Sequence, residues 1–101
     1  MEMSVRPEKK LTRLELRFGK VNFESATVKQ YEVLNDVRVW RAFINAYTKK
    51  GFVVFDEETL PREELLEKLA DLEPEIISER YVTVGELIES SMSWNNIIGK
   101  A

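Results

Sequence analysis

The sequence predicts one α+β domain with an antiparallel sheet and two helices against one face of it, in the order β-α-β-β-α-β-α. The chain has 101 residues, which suits one domain with a buried core and leaves no room for a second. Segments with apolar residues at every second position, typical of strands, alternate with segments of helical spacing. The hydrophobic fraction of 44% is near the globular average, so we expect the chain to fold.

The first strand and helix follow a polar segment at the start of the chain. Residues 1–10 are predicted to be a flexible tail, and residues 11–101 the domain. From Thr12 to Phe18 the apolar and charged residues alternate, which predicts a strand with one buried face. Its charged side carries Arg13, Glu15 and Arg17. Ser25 is expected to cap a helix over residues 26–34.

Residues 36–47 are compatible with two structures. As a helix, the segment has Asp36 as its cap and Gly51 as its stop, and residues 26–34 then become a strand of a different α+β sheet. As a strand, it has two sides: Trp40, Ala42, Ile44 and Ala46 inside, and Arg41, Phe43, Asn45 and Tyr47 outside. The periodicity alone does not decide between them.

The second half of the chain is easier to interpret. Phe52 to Phe55 predicts a strand, and the Leu-rich segment after Pro61 predicts an amphipathic helix that ends before Pro74. Residues 76–84 predict a strand with two faces: Ile76, Val82 and Val84 on one, and Ile77, Tyr81 and Thr83 on the other. The sequence Thr83-Val84-Gly85-Glu86 has the form of a capping box and predicts a final helix to about residue 98.

With residues 36–47 as a strand, the order is βαββαβ followed by an extra C-terminal helix. This order predicts the ferredoxin-like arrangement, in which two helices cover one face of a four-stranded antiparallel sheet.

Composition excludes several function classes. The chain has no Cys and no His, so it has no thiolate nucleophile, imidazole base, disulfide or zinc site of the usual type. We therefore expect no enzyme, no metal and no cofactor. The longest apolar run, residues 51–55, is far shorter than a membrane span, and no secretory leader is visible. These features predict a cytoplasmic protein that does not enter membranes.

Glu and Lys dominate the charged residues. Of the 18 acidic residues, all but Asp36, Asp56 and Asp71 are Glu. High Glu and Lys content is characteristic of hyperthermophile proteins, in which ion-pair networks gain value with temperature. The alternative is the ordinary solvated surface of a mesophile protein.

Two resemblances to families extend this interpretation. Residues 33–72, especially Gly51-Phe52-Val53-Val54-Phe55-Asp56-Glu57-Glu58-Thr59-Leu60-Pro61, resemble the second half of a heavy-metal-associated domain. Its metal-binding cysteines are missing from the loop at residues 19–24, so metal transfer does not carry over. Nearly the whole chain is also similar to a small uncharacterised family from hyperthermophilic archaea. That resemblance implies a ferredoxin-like fold and brings no activity.

The sheet face away from the helices is a candidate binding surface. If residues 36–47 form a strand, this face is expected to carry a mixture of Arg and aromatic side chains: Arg13, Arg17, Arg41, Phe43, Tyr47 and Tyr81. Domains that bind single-stranded nucleic acid stack bases on such aromatics and hold phosphates with Arg. The net charge of −3 argues against this function, because nucleic-acid-binding domains are usually basic. Alternatively, the C-terminal helix covers this face.

The C-terminal helix is a candidate interface. Its apolar residues are expected to contact a partner if they do not pack on the sheet: Leu87, Ile88, Met92 and Trp94. A homodimer is then expected.

Two weaker candidates have ordinary explanations. The carboxylates of Asp56, Glu57, Glu58, Glu63 and Glu64 offer oxygen ligands to Mg²⁺ or Ca²⁺, but acidic residues also stabilise a helix start. The loop at residues 19–24, with Lys20, offers an anion site beside a helix start, and common loop chemistry explains it equally.

The sequence thus does not specify a biochemical function. It favours a non-enzymatic interaction or oligomerisation module that binds itself or another protein. The alternative is single-stranded nucleic-acid binding through the open sheet face.

Overall fold

The computed structural model describes residues 8–88, which form a four-stranded antiparallel sheet with helices. The elements are β1 Lys10–Phe18, α1 Phe23–Leu34, β2 Val39–Asn45, β3 Lys50–Phe55, α2 Arg62–Lys68, a 3₁₀ helix Ala70–Leu72 and β4 Pro74–Thr83. Residues 84–88 are helical. The predicted α+β class is confirmed, and residues 39–45 are a strand, as in the second of the two interpretations.

The strands lie in the order β2-β3-β1-β4, and every neighbouring pair is antiparallel. The face with Leu14, Leu16 and Phe18 is covered by the helices and is here called the helix face. The opposite face, with Arg13 and Arg17, is called the outer face. β2 and β4 are the two edges of the sheet.

The main core lies between the helix face and the helices. It joins buried residues from every strand except β4 with residues of both helices: Leu14, Leu16, Phe18, Ala26, Val33, Val39, Ile44, Val53, Phe55, Leu60, Leu65, Leu69 and Leu72. Gly51 faces this core from β3, where a Cβ would lie 2.3 Å from the Phe43 carbonyl oxygen and 3.1 Å from the Phe18 ring. Only glycine fits there without backbone movement.

The helix α1 begins earlier than predicted. Asn22, not Ser25, is the N-cap, and its Oδ1 accepts a hydrogen bond from the Ser25 amide at 2.8 Å. Ser25 returns the contact, because its Oγ accepts from the Asn22 amide at 3.0 Å. The two residues form a reciprocal capping box that moves the helix start three residues upstream of the predicted position.

Two β-bulges change which face the later residues occupy. One lies in β4, where Ile77 is an extra residue between the pairs Glu15–Ser78 and Leu16–Ile76. It reverses the alternation, so Tyr81 pairs with Thr12 and lies on the helix face. The prediction that Tyr81 shares a face with Arg13 is therefore wrong.

The second bulge lies in β2, between Val39 and Arg41. Val39 pairs with Phe55 and is buried, whereas Trp40 has no pairing partner and is partly exposed. The predicted inward position of Trp40 is wrong, because the extra residue gives that position to Val39.

A second, smaller core lies at one end of the outer face. Leu11, Val54 and Val84 are buried there, with Phe52, Val82 and Leu87 packed around them. The predicted capping box holds the helix start in place: the Thr83 amide donates to Glu86 Oε1 at 2.9 Å, and the Glu86 amide donates to Thr83 Oγ1 at 3.1 Å. The described residues of this helix, 84–88, thus pack on the end of the outer face that carries Leu11 and Val54.

The sheet starts slightly before the predicted domain boundary. Lys10 is the first residue of β1, and the Lys9 carbonyl accepts a hydrogen bond from the Val84 amide at 2.9 Å. Lys9 Nζ also lies 3.1 Å from Asp56 Oδ2.

Candidate functional site

Arginines from three strands form a line across the outer face. The strand register places Arg80 of β4 opposite Arg13 of β1, which in turn lies opposite Val54 of β3. Val54 lies opposite Arg41 of β2. Residues paired in this way point to the same side of a sheet, so the three guanidinium groups belong to one row.

The next row across the outer face is aromatic. Glu15, Phe52 and Phe43 are neighbours in the register, and the two phenyl centroids lie 6.4 Å apart. Arg13 lies over the Phe52 ring, with its guanidinium carbon 4.5 Å from the centroid, which is a cation–π contact. Phe43 keeps 46% of its surface exposed, so an aromatic ring is accessible beside the arginine row.

A second cationic row follows on the far side of the aromatic one. Arg17 of β1 pairs with Lys50 of β3 and Glu75 of β4. Arg17 Nη1 lies 3.8 Å from the Glu75 carboxylate. The two cationic rows are Arg13, Arg41 and Arg80 on one side, and Arg17 and Lys50 on the other.

The outer face is therefore cationic although the chain is not. Its strand residues include the five cations of these rows and two carboxylates, Glu15 and Glu75, whereas the whole chain has a net charge of −3. Among residues 8–88, Arg41, Lys50 and Arg80 have no carboxylate within ion-pairing distance. We call this surface the cationic sheet face.

The cations of this face lower the pKa of Glu15. Its carboxylate accepts a hydrogen bond from Arg13 Nη1 at 2.5 Å. This hydrogen bond is the main cause that lowers the pKa of Glu15, and the charges of Arg13, Arg80 and Lys50 lower it further against an opposing effect of burial.

The structure brings together four of the six predicted sheet-face residues. Arg13, Arg17, Arg41 and Phe43 lie on the cationic sheet face. Tyr47 lies in the turn after β2, and Tyr81 lies on the opposite side of the sheet. Lys50, Phe52 and Arg80 were missed. The pairing of β1 with β3 identifies the first two, and only the bulge at Ile77 places Arg80.

A groove lies along the β2 edge, between this strand and α1. It has a volume of about 470 Å³ and is lined mainly by aromatic and aliphatic groups, including Phe23, Tyr31, Leu34, Phe43 and Tyr47. Phe23 is 72% exposed, Tyr31 69% and Tyr47 90%. We call this surface the edge groove. Sequence analysis did not identify this groove, because it is formed by residues of α1 and β2 together.

One polar side chain forms a hydrogen bond to the free edge of β2. Gln30 Oε1 accepts a hydrogen bond from the Ile44 amide at 2.9 Å, on the side of β2 that has no neighbouring strand. A free strand edge is a template for pairing with another chain. Gln30 occupies one of its donors and leaves the aromatic side chains around it exposed.

The predicted C-terminal interface is only partly described. Leu87 packs half-buried against the small core of the outer face, and Ile88 is exposed. Met92 and Trp94 lie outside the described residues.

The acidic segment is occupied by cations of the protein itself. Glu57 accepts from Arg62 Nε at 2.7 Å and from Thr12 Oγ1 at 2.8 Å. The Arg62 hydrogen bond, followed by that of Thr12, lowers the pKa of Glu57 against the effect of burial. Arg62 also pairs with Glu79, which ties α2 to β4. Within residues 8–88, no cluster of three or more carboxylates has the arrangement of a metal site.

The Asp36 carboxylate is held by a second group of ion pairs. Arg38 binds it with two nitrogens, Nε at 2.9 Å and Nη2 at 2.7 Å, and Lys68 Nζ lies 3.7 Å away. Hydrogen bonds from Arg38 hold the pKa of Asp36 well below its usual range. Arg38 also pairs with Glu64 at 3.0 Å, so the loop before β2 is joined to α2.

The loop at residues 19–24 has few free amides for an anion. The amides of Gly19 and Lys20 donate to the carbonyls of Glu73 and Leu72, both at 3.0 Å. The Asn22 amide is used in the capping box. No helix among residues 8–88 has the length and apolar character to cross a membrane.

The comparisons with known proteins give a family without a known function. No curated protein and no solved structure matches the chain. The family described as a protein of unknown function, DUF3213, matches residues 15–98. The matched region contains the aromatic row, the whole edge groove and every residue of the two cationic rows except Arg13. Because the match covers most of the sequence, the chain belongs to the DUF3213 family.

Proposed function

We propose that the protein is a non-enzymatic association module that binds a second copy of itself, or another protein, through the edge groove. The observation that carries this proposal is the exposure of Phe23, Tyr31 and Tyr47 around one groove. Aromatic side chains are enriched at the centres of protein interfaces, where they bury large areas at low entropic cost. An exposed aromatic cluster of this kind is typical of an interaction site.

The position of the groove beside an edge strand supports the same proposal. β2 has one free side, and a second β2 strand is able to pair with it antiparallel once the Gln30 contact is exchanged. A symmetric dimer of this kind brings both copies of the aromatic cluster together.

The electrostatics support a binding role over a catalytic one. Among residues 8–88, the carboxylates with shifted pKa values are Glu15, Asp36 and Glu57, and a hydrogen bond from an arginine lowers each of these pKa values. A catalytic acid needs the opposite shift, since it must keep its proton near neutral pH.

The experiment is sedimentation equilibrium of the full chain over a concentration range from 1 to 500 μM, on the order of the affinities of transient interfaces. We expect a monomer–dimer equilibrium in this range. The double variant Tyr31→Ser/Tyr47→Ser removes two exposed rings and is expected to weaken dimerisation at least about tenfold.

The matched control is Val37→Ser, which removes an exposed apolar side chain outside the groove. It is expected to leave the equilibrium unchanged. A wild-type mass of one chain at every concentration argues against self-association. If pull-down with the immobilised protein then captures the same proteins on wild type and on the double variant, the proposal fails in both forms.

We propose the ferredoxin-like arrangement as the fold assignment, with heavy-metal-associated domains as relatives in shape. Read from the β4 edge, the strand order is β4-β1-β3-β2, with both helical connections on one face. This order is the one expected for a split βαβ unit. A crystal structure with a different connection between β3 and β4 would overturn the assignment.

We propose in addition that the protein works in the cytoplasm of a thermophilic cell, in keeping with the resemblance to a hyperthermophilic archaeal family. The ion pairs support this, because Arg38 joins Asp36 with Glu64 and Arg62 joins Glu57 with Glu79. Such networks gain value at high temperature. Calorimetry is expected to give a melting temperature above about 80 °C, and a value near 50 °C, typical of mesophile domains, contradicts the proposal.

A further inference from the structure

The cationic sheet face has a charge pattern that the edge groove does not explain. The strand residues of this face include five cations and two carboxylates, whereas the whole chain has a net charge of −3. The fold therefore concentrates positive charge on this face. Like charges on neighbouring strands cost free energy. Arg13 directly opposite Arg80 is such an unfavourable pair. Glu15 balances one of the two charges by its pair with Arg13, and an anionic ligand at Arg80 would balance the other.

The aromatic row lies between the two cationic rows. Successive rows on one face of a sheet are about 7 Å apart, because side chains on the same face are separated by two residues. Phe43 and Phe52 therefore have cations within reach on both sides. An anion with flat groups between its charges is able to contact both the cations and the exposed aromatic ring. A simple anion contacts the cations alone.

We propose that the cationic sheet face binds single-stranded nucleic acid. Phosphates contact Arg41 and Arg80 in one row and Lys50 in the other, and an unpaired base stacks on Phe43. Of the five cations of this face, these three have no carboxylate partner among residues 8–88, so they bind phosphate without first breaking an ion pair to a described residue. Binding releases counterions from the nucleic acid and so depends on salt.

The shape of the face selects single strands over duplexes. The four strands form a broad surface, with Phe43 of β2 and Ile77 of β4 accessible on its two edge strands. Stacking on Phe43 requires the face of a base, which is free only in a single strand. Leu11, Val54 and Val84 close one end of the surface, so the bound strand is expected to lie at the Phe43 end.

Fluorescence anisotropy with the full chain and a labelled oligouridine of about 12 nucleotides tests the proposal. We expect binding at 50 mM salt that weakens as salt is raised. The variant Arg41→Gln/Arg80→Gln is expected to bind about tenfold more weakly and to lower the salt slope by about 1.4, that is about 0.7 for each lost phosphate contact. Phe43→Leu keeps an apolar side chain and is expected to weaken binding about tenfold through lost stacking.

The matched control is Lys20→Gln/Lys68→Gln. It changes the net charge by the same amount, but Lys20 lies in the loop before α1 and Lys68 in α2, away from the outer face. It is expected to reduce affinity by less than about twofold. Circular dichroism of each variant verifies that the fold is kept.

Several outcomes overturn the proposal. These are no wild-type binding at low salt, an equal loss in the sheet-face and control variants, and equal affinity for a duplex of the same length. Displacement of the oligonucleotide by polyglutamate at equal charge concentration assigns the face to an acidic protein instead. The variant Tyr31→Ser/Tyr47→Ser is expected to bind the oligonucleotide normally, so this test and that of the edge groove fail independently.

Discussion

The two faces of the sheet are built from the same strands and differ in burial and in residue type. On the helix face, buried residues from three strands and both helices form one continuous core. On the outer face, Leu11, Val54 and Val84 are the buried residues of the part of the chain that the structure describes, and most of the remaining strand positions are charged or aromatic. The comparison indicates that the helix face provides the stability. The outer face is thereby free to carry charges that stability does not require.

The largest effect is expected from Leu14→Ala on the helix face. Leu14 lies fully buried in the central strand β1 and packs in the main core. Its neighbours are held by both helices and collapse little, so the variant is expected to lose about 4 kcal/mol of unfolding free energy. Urea denaturation measures this loss, and a value below about 1 kcal/mol contradicts a tightly packed helix face.

Leu11→Ala is the matched change on the outer face. Leu11 is the same residue type in the same strand and is equally buried, but it belongs to the small core. Partly buried neighbours such as Val82 are able to move into the space, so a loss of about 2 kcal/mol is expected. If the same denaturation experiment gives as large a loss as Leu14→Ala, the two faces contribute equally and the comparison breaks down.

A smaller effect is expected at the Asp36 ion pair, and it depends on pH. The folded pKa of Asp36 lies below the unfolded value of about 3.9. Its contribution is therefore complete above that value and is lost as the pH falls through the folded pKa. Asp36→Asn is expected to lose about 1 kcal/mol at pH 7. Its unfolding free energy should converge with that of the wild type toward pH 2, and curves that stay parallel refute the linkage.

The smallest effect is expected from Arg41→Gln/Arg80→Gln. Neither side chain has an ion pair among the described residues, so neither holds elements together. The change in unfolding free energy is expected to stay below about 0.5 kcal/mol, as for most surface substitutions. A stabilisation of that size agrees equally with relief of repulsion between Arg80 and Arg13. A loss above about 1 kcal/mol means that the cationic rows are structural.

Much of the secondary structure was predictable because local rules govern it. The capping box of Thr83 and Glu86 formed as predicted. Of the Leu residues after Pro61, Leu65, Leu69 and Leu72 are buried and Leu66 packs partly buried against the core. The α1 start was misplaced, because Asn22 and Ser25 are both good caps and only the loop geometry decides between them. Arg13, Arg17, Arg41 and Phe43 were placed on one face by the strand interpretation of residues 36–47, which the structure confirms.

The candidate site was less predictable because alternation is interrupted. In β4, the prediction for Ile76 was right, but the extra residue Ile77 reversed all later positions and moved Tyr81 off the face and Arg80 onto it. A bulge has no reliable signature in a single sequence. In β2, the same kind of insertion exchanged Trp40 for Val39 in the core.

The sequence by itself determined the α+β class, the elements outside residues 26–47 and the absence of Cys and His chemistry, because composition and periodicity are properties of the chain. Only the tertiary structure decided the register of β1 against β3 and β4, and with it the rows of cations around Phe43 and Phe52. The physical reason is that register depends on contacts between residues far apart in sequence, and one bulge shifts every side chain after it to the other face.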